Sequence, residues 1–153
     1  MKNKAQFYLF AGIILTSLVF LIVSNSKILD SQNFKKSEDL LDNYKYEAGI
    51  VMNNAIYANK NITTQLSNFT SRFIDFGKSK NLDIQILYLY SYEYNVYIVN
   101  YLNQPVLISG STVGAEESIM LSSSEISVNY NNESYYFIFD LVKPEFKVLF
   151  IGG

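Results

Sequence analysis

The sequence predicts an α+β protein with an N-terminal transmembrane helix, an amphipathic helical hairpin, and a C-terminal antiparallel β-sheet or small β-sandwich. Three observations predict it. Phe7 to Val23 contains no charged residue. From Leu41 to Phe76 apolar residues recur at steps of three and four, the period of a helix with one buried stripe. Beyond Leu82 the period falls to two, and Tyr, Val and Ile become dense.

The amino-terminal run comes first. A helix from Gln6 to Val23 would be about 27 Å long, close to the roughly 30 Å hydrocarbon core of a bilayer. Phe7 and Tyr8 fall where interfacial aromatic rings are favoured, with Lys2 and Lys4 beyond them. Three fates are open to such a segment. A cleaved secretory signal would be cut near Ser24-Asn25-Ser26, although the apolar stretch is long for one. An uncleaved anchor needs only the hydrophobicity. The third uses Asn3-Lys4-Ala5-Gln6-Phe7, where a basic residue, a small residue and Gln stand directly against the apolar run.

That arrangement resembles the class III signal of archaeal type IV pilin-like proteins, and the resemblance covers about the first 20 residues. It implies cleavage between Ala5 and Gln6 on the cytoplasmic side, with the apolar helix retained in the mature chain. It also implies the lipid bilayer as a partner, and like subunits packed through the N-terminal helix. Ala5 stands where Gly is commoner in that family, and Phe10 where many pilins carry Glu, so retention of the helix is the firmer implication. The segments that follow are a cytoplasmic leader (1–5), a transmembrane helix (6–24), a helical stalk or hairpin (25–81) and an extracytoplasmic β domain (82–153).

Lysines flank the apolar run on both sides, so the distribution of positive charge does not orient it. Asn61-Ile62-Thr63, Asn68-Phe69-Thr70 and Asn132-Glu133-Ser134 are N-glycosylation sequons, which lean toward an outside location for Asn61, Asn68 and Asn132. Membrane anchorage with the C-terminal domain outside is the expectation.

Composition narrows the chemistry. The 153 residues leave roughly 125 for a folded part, enough for one modest core. There is no His and no Cys, which removes thiol nucleophiles, Ser-His-Asp relays, the usual zinc ligands and disulfides. Of 12 basic residues, Lys2 and Lys4 precede the membrane run, leaving 10 against 14 acidic ones, so nucleic acid is not an expected partner.

From Ser37 to Ala58 the apolar stripe is Leu41, Tyr44, Ala48, Val51 and Ala55, and Glu38, Asp39 and Asp42 complement the helix dipole at its start. The small residues Ala48 and Gly49 would let another helix approach closely. Asn59-Lys60-Asn61 breaks the pattern, with Asn61 as N-cap of a second helix whose stripe is Ile62, Leu66, Phe69, Phe73 and Phe76. Gly77 and Lys78-Ser79-Lys80 end it.

Six or so short strands follow: Asp83–Tyr90, Tyr94–Tyr101, Val106–Ser109, Ser124–Tyr130, Ser134–Val142 and Phe146–Ile151. Gly110 to Glu117 is expected to be a loop; its Gly110-Ser111-Thr112-Val113-Gly114 lacks the Lys and following helix of a phosphate loop. Glu116-Glu117 and Asp140 with Glu145 lack any metal-ligand spacing. No catalytic residue, metal or cofactor is expected. The leading functional expectation is a pilin-like surface or structural protein, and the alternative is an anchored binding protein or accessory subunit that recognises a sugar or another envelope protein. The many Tyr would cover the half-exposed side of the sheet, or form an adhesive face.

Overall fold

A computed structural model describes residues 38–152. The expected leader, the transmembrane helix and the cleavage residues Ala5 and Gln6 lie outside them. Among the described residues, no helix is long and apolar enough to cross a membrane.

Residues from Leu40 onward form one compact α+β unit. Helix α1 (residues 38–57) and helix α2 (Ile62–Ser79) are joined by a tight turn. The eight strands are β1 (Ile84–Tyr92), β2 (Asn95–Tyr101), β3 (Val106–Ile108), β4 (Ser111–Val113), β5 (Ser118–Leu121), β6 (Glu125–Tyr130), β7 (Glu133–Ile138) and β8 (Glu145–Gly152). They make two four-stranded antiparallel sheets, ordered β5-β2-β1-β8 and β4-β3-β6-β7.

The first sheet is a middle layer. Ile84, Ile86, Tyr88 and Tyr90 of β1 join Tyr44, Ala48, Met52, Ala55, Ile62 and Leu66 in a core beneath the helices. Leu87 and Leu89 of the same strand join Val96, Ile98, Ile108, Ile126 and Val128 in a core between the sheets. Strand parity alone divides one strand between two cores, because successive side chains point to opposite faces.

Both helices end alike. Asn59 and Asn81 take left-handed φ of 51° and 58°, Lys60 N–H bonds Ala55 O at 2.9 Å, and Leu82 N–H bonds Gly77 O at 3.0 Å. These are Schellman closures with Asn supplying the left-handed residue. Asn61 is the N-cap of α2 as expected, its Oδ1 accepting from Thr64 N–H at 2.8 Å.

Several expectations need correcting. Within the expected loop Ser111–Val113 is a strand, and Ser118–Leu121, outside every expected element, is another; neither shows a hydrophobic alternation, and both are short edges held by their neighbours' backbones. The β1–β2 turn is the two-residue Glu93–Tyr94, with φ of 49° and 65°, so β1 runs on through Ser91 and Tyr92. The strand starting near Ser134 ends at Ile138, short of Val142. On α1, Met52 rather than Val51 is buried, and among the described residues nothing lies within 4 Å of a Cβ placed on Gly49. On α2, Phe76 is exposed and Gly77 takes its place inside, against Ile84.

Gly77 is a close-approach position. A Cβ there would collide with Cδ1 of Ile84 and lie 2.9 Å from its Cγ1. Helix propensity alone predicts that Gly77→Ala gains about 1 kcal/mol. Overpacking predicts a loss of about 1–3 kcal/mol. We expect the loss to win, and Ile84→Val in the same chain, which deletes Cδ1, to recover part of it; urea unfolding of the two variants measures both, and a stabilised Gly77→Ala contradicts the packing described.

Candidate functional site

The polar side chains buried in this unit lie at two kinds of place. The first is the contact between α2 and the first sheet. Half-buried Thr63 Oγ1 lies 2.6 Å from the Tyr90 hydroxyl and half-buried Ser67 Oγ 3.0 Å from that of Tyr88, and at the exposed end of the row Ser71 Oγ lies 3.5 Å from that of Tyr101. Four helical residues rise about 6 Å and two strand residues about 6.6 Å. Hydroxyls spaced by four on α2 therefore keep step with alternate residues of the sheet beneath, Tyr101 standing opposite Ile86. Thr70, fully buried, completes the set at 2.8 Å from the Tyr44 hydroxyl of α1.

The rings pack as closely as the hydroxyls bond. Tyr90 stacks on Tyr97 at 4.9 Å, and Tyr44 stands edge-on to Phe73 at 5.0 Å. Of the tyrosines expected to cover a half-exposed sheet, Tyr88 and Tyr90 instead fill a core and are essentially inaccessible, as is Tyr44 on the buried stripe expected of its helix. Burial pushes all three phenols above their ordinary range, the Ser or Thr hydrogen bond opposing it in each case, and Tyr90 reaches about 12.

The second place is where the chain changes sheet. Asn100, fully buried on β2, donates Nδ2 to the carbonyls of Gln104 (3.1 Å), Val113 (3.2 Å) and Gly114 (3.0 Å), and its Oδ1 accepts from Leu102 N–H at 2.8 Å. Its backbone binds Glu117 O and Glu116 N–H. One side chain thus ties the crossing from β2 to β3 to the return from β4 to β5. Ser91, also fully buried, donates to Lys143 O at 2.8 Å and accepts from Glu145 N–H at 3.0 Å, doing the same where the chain enters β8.

Two polar clefts open at opposite ends. At the end bearing the β1–β2 turn, a cleft of about 220 Å³ is lined by Asn59, Lys60, Asn61, Tyr92, Glu93 and Tyr97, among others. Tyr94 and Tyr57 stand exposed on residues adjacent in sequence to these elements. At the other end, Asp75, Lys78, Asp83 and Glu116 line a cleft of about 280 Å³. Among the described residues no group of acidic side chains is arranged to hold a metal ion.

The sequons fall in different settings. Asn61 is exposed, with its side-chain oxygen engaged in the cap; Asn68 is on the solvent face of α2; Asn132 is the second residue of the β6–β7 turn, at φ 64°. Thr63 and Thr70, the hydroxyl residues of the first two sequons, are the partners of Tyr90 and Tyr44. Those threonines therefore have a structural reason to be present apart from glycosylation. Of the acidic groupings, Glu117 accepts from Gly114 N–H, Asp140 accepts from Val142 N–H, and Glu145 pairs with Lys147 at 3.5 Å.

Nothing in these groups pairs a nucleophile with a base; the chemistry they offer is hydrogen bonding and aromatic contact. Comparison with protein families, curated proteins and solved structures finds no match for this chain.

The hydroxyl ladder makes two predictions. Thr70→Val leaves the Tyr44 hydroxyl buried without a partner and costs about 1–3 kcal/mol, while adding Tyr44→Phe removes the orphan and returns part of that cost in denaturant unfolding. A double variant no more stable than the single one refutes the pairing. Because the folded form holds the phenolic protons more tightly than free tyrosine, whose pKa is 10.0, their stabilisation is complete below pH 10 and is lost as pH rises through about 12. Tyrosinate absorbance should therefore show a late phase coincident with loss of near-UV circular dichroism; complete titration of all the tyrosines in the folded chain near pH 10 would contradict it.

Proposed function

We propose that this chain is a single-pass, membrane-anchored, pilin-like surface protein whose α+β unit, from Leu40 onward, works outside the membrane. The observation that carries the reading is in the sequence: the uncharged apolar run Phe7–Val23, abutted without a polar spacer by Lys4-Ala5-Gln6. A signal peptidase of the pilin type would cut before Gln6 and leave the apolar segment in the product. Its role is then positional and structural, with the bilayer as first partner and like subunits as the second.

A second reading is favoured by a specific observation. The cleft at the β1–β2 end presents Tyr92 and Tyr97 together with Asn59, Lys60, Asn61 and Glu93, a mixture of flat rings, amides and one charge of each sign. Rings that bury area at low entropic cost and amides that both donate and accept suit the recognition of a polyhydroxylated or protein surface. On this reading the same anchored unit serves as a receptor or accessory subunit.

The first reading predicts a mature amino terminus at Gln6. Amino-terminal sequencing or intact-mass measurement of the protein from its native membrane tests this, and a chain beginning at Met1 or at Lys27 overturns it. The second predicts a saturable rise in melting temperature with an oligosaccharide; replacing Tyr92 and Tyr97 by Ala should abolish the rise.

A further inference from the structure

We infer that β7 is a self-pairing edge, and that two copies of this chain join there across a twofold axis into one continuous eight-stranded sheet. Strand β7 ends the order β4-β3-β6-β7, and among the described residues nothing pairs with its outer side. At the opposite end of this sheet β4 has three residues, and β5 of the other sheet has four, short edges of the kind that discourage pairing; that sheet's other edge, β8, has eight residues but carries Lys147, a charge that guards an edge. β7 has six, Glu-Ser-Tyr-Tyr-Phe-Ile, with Tyr136 77% and Ile138 67% exposed. An edge so apolar, without Pro or Lys of its own, is an open template.

The hydrogen-bond parity identifies which groups are free. Phe139 N–H bonds Ser124 O, continuing the β6–β7 register, so residues 133, 135 and 137 direct their backbone groups at β6. Ser134, Tyr136 and Ile138 direct theirs outward. The Ile138 carbonyl is already taken by the Lys147 ammonium from β8, which also lies over the Phe139 ring at 4.7 Å. Ser134 and Tyr136 remain.

Those constraints select one register. With the axis at Tyr135, Ser134 of each copy faces Tyr136 of the other, and both exchange N–H and C=O. An axis at Tyr136 would instead require the occupied Ile138 carbonyl, and one at Ser134 would set Tyr136 opposite Asn132, which lies in the β6–β7 turn at φ 64° and cannot continue a strand. The chosen register also brings Glu133, the sole charge on β7, to the end of the second copy's strand where Lys147 sits, and the two contacts are equivalent by symmetry. This charge match commits the occupant to a second copy. The pairing is independent of the anchor and of how the amino terminus is processed.

The chain has no Cys, so a single introduced thiol reports cleanly. Tyr135→Cys places two Cβ atoms on the axis as a non-hydrogen-bonded pair, about 4.5–5.5 Å apart and within reach of a disulfide after a small adjustment. Full-length Tyr135→Cys in detergent, mildly oxidised, should run at twice the chain mass on non-reducing analysis. Met120→Cys, on the exposed face of β5, should stay monomeric even where amino-terminal helices associate. Adding Ser134→Pro, which removes an N–H that β6 does not use, should abolish the cross-link without lowering the helical signal. A monomeric Tyr135→Cys, a cross-link to a different protein, equal cross-linking by Met120→Cys, or persistence with Pro at 134 overturns the pairing. Should Tyr135→Cys fail to fold, sedimentation of the unmodified chain against Ser134→Pro decides by the same criterion: a dimer lost in the variant supports it, and identical sedimentation overturns it.

Discussion

β1 has no solvent face, and the remainder of the unit is arranged around that constraint. Its even-numbered side chains need the helices and its odd-numbered ones need the second sheet, so neither cover can be removed without exposing a row of Ile, Tyr or Leu. Two small cores share one strand. Burial on one side then restrains the other, because a one-residue slip of β1 would exchange both sets of side chains at once.

Placing tyrosines on such a strand creates a polar problem inside an apolar layer. Tyr88 and Tyr90 point phenols at α2, and a hydroxyl left without a partner there would cost more than its ring gains in precision of packing. The matching of helical and strand rises lets one helix answer successive rungs with Thr63 and Ser67. The helices are thereby fixed in azimuth and height over the sheet as well as held by hydrophobic burial. Asn100 and Ser91 solve the corresponding problem where the chain leaves one sheet for the other: the carbonyls released from ladders at those crossings find amide or hydroxyl donors in the interior.

The balance of the functional picture follows from these features. The unit uses its buried polar groups to hold layers together, and what the described residues present outward includes aromatic and amide surface at one end and an open edge along β7. The pilin-like reading rests on separate ground, in the amino-terminal residues, and stands or falls with the fate of the bond before Gln6, whereas an anchor needs only the apolar run.

Legibility from the sequence was uneven for physical reasons. Local patterns carried the helices, the Asn61 cap and the long strands, since a stripe at three and four or an alternation at two reflects one face meeting one core. β4 and β5 were hidden because short edge strands are held by a neighbour's backbone and need no pattern of their own. The hydroxyl stripe at Thr63, Ser67 and Thr70 was visible as a spacing, yet its meaning required knowing that Tyr90, Tyr88 and Tyr44 lie opposite. Asn100 gave no local signal, because its partners are carbonyls brought from residues 104 to 114 by the crossover. The sequence by itself determined where the helices and the longer strands lie, and that one stretch near the start is apolar enough for a bilayer. Only the tertiary structure decided that both faces of β1 are buried and that its Tyr88 and Tyr90 belong inside. It also decided that β7 is left open, because burial and pairing depend on contacts between residues far apart in the chain.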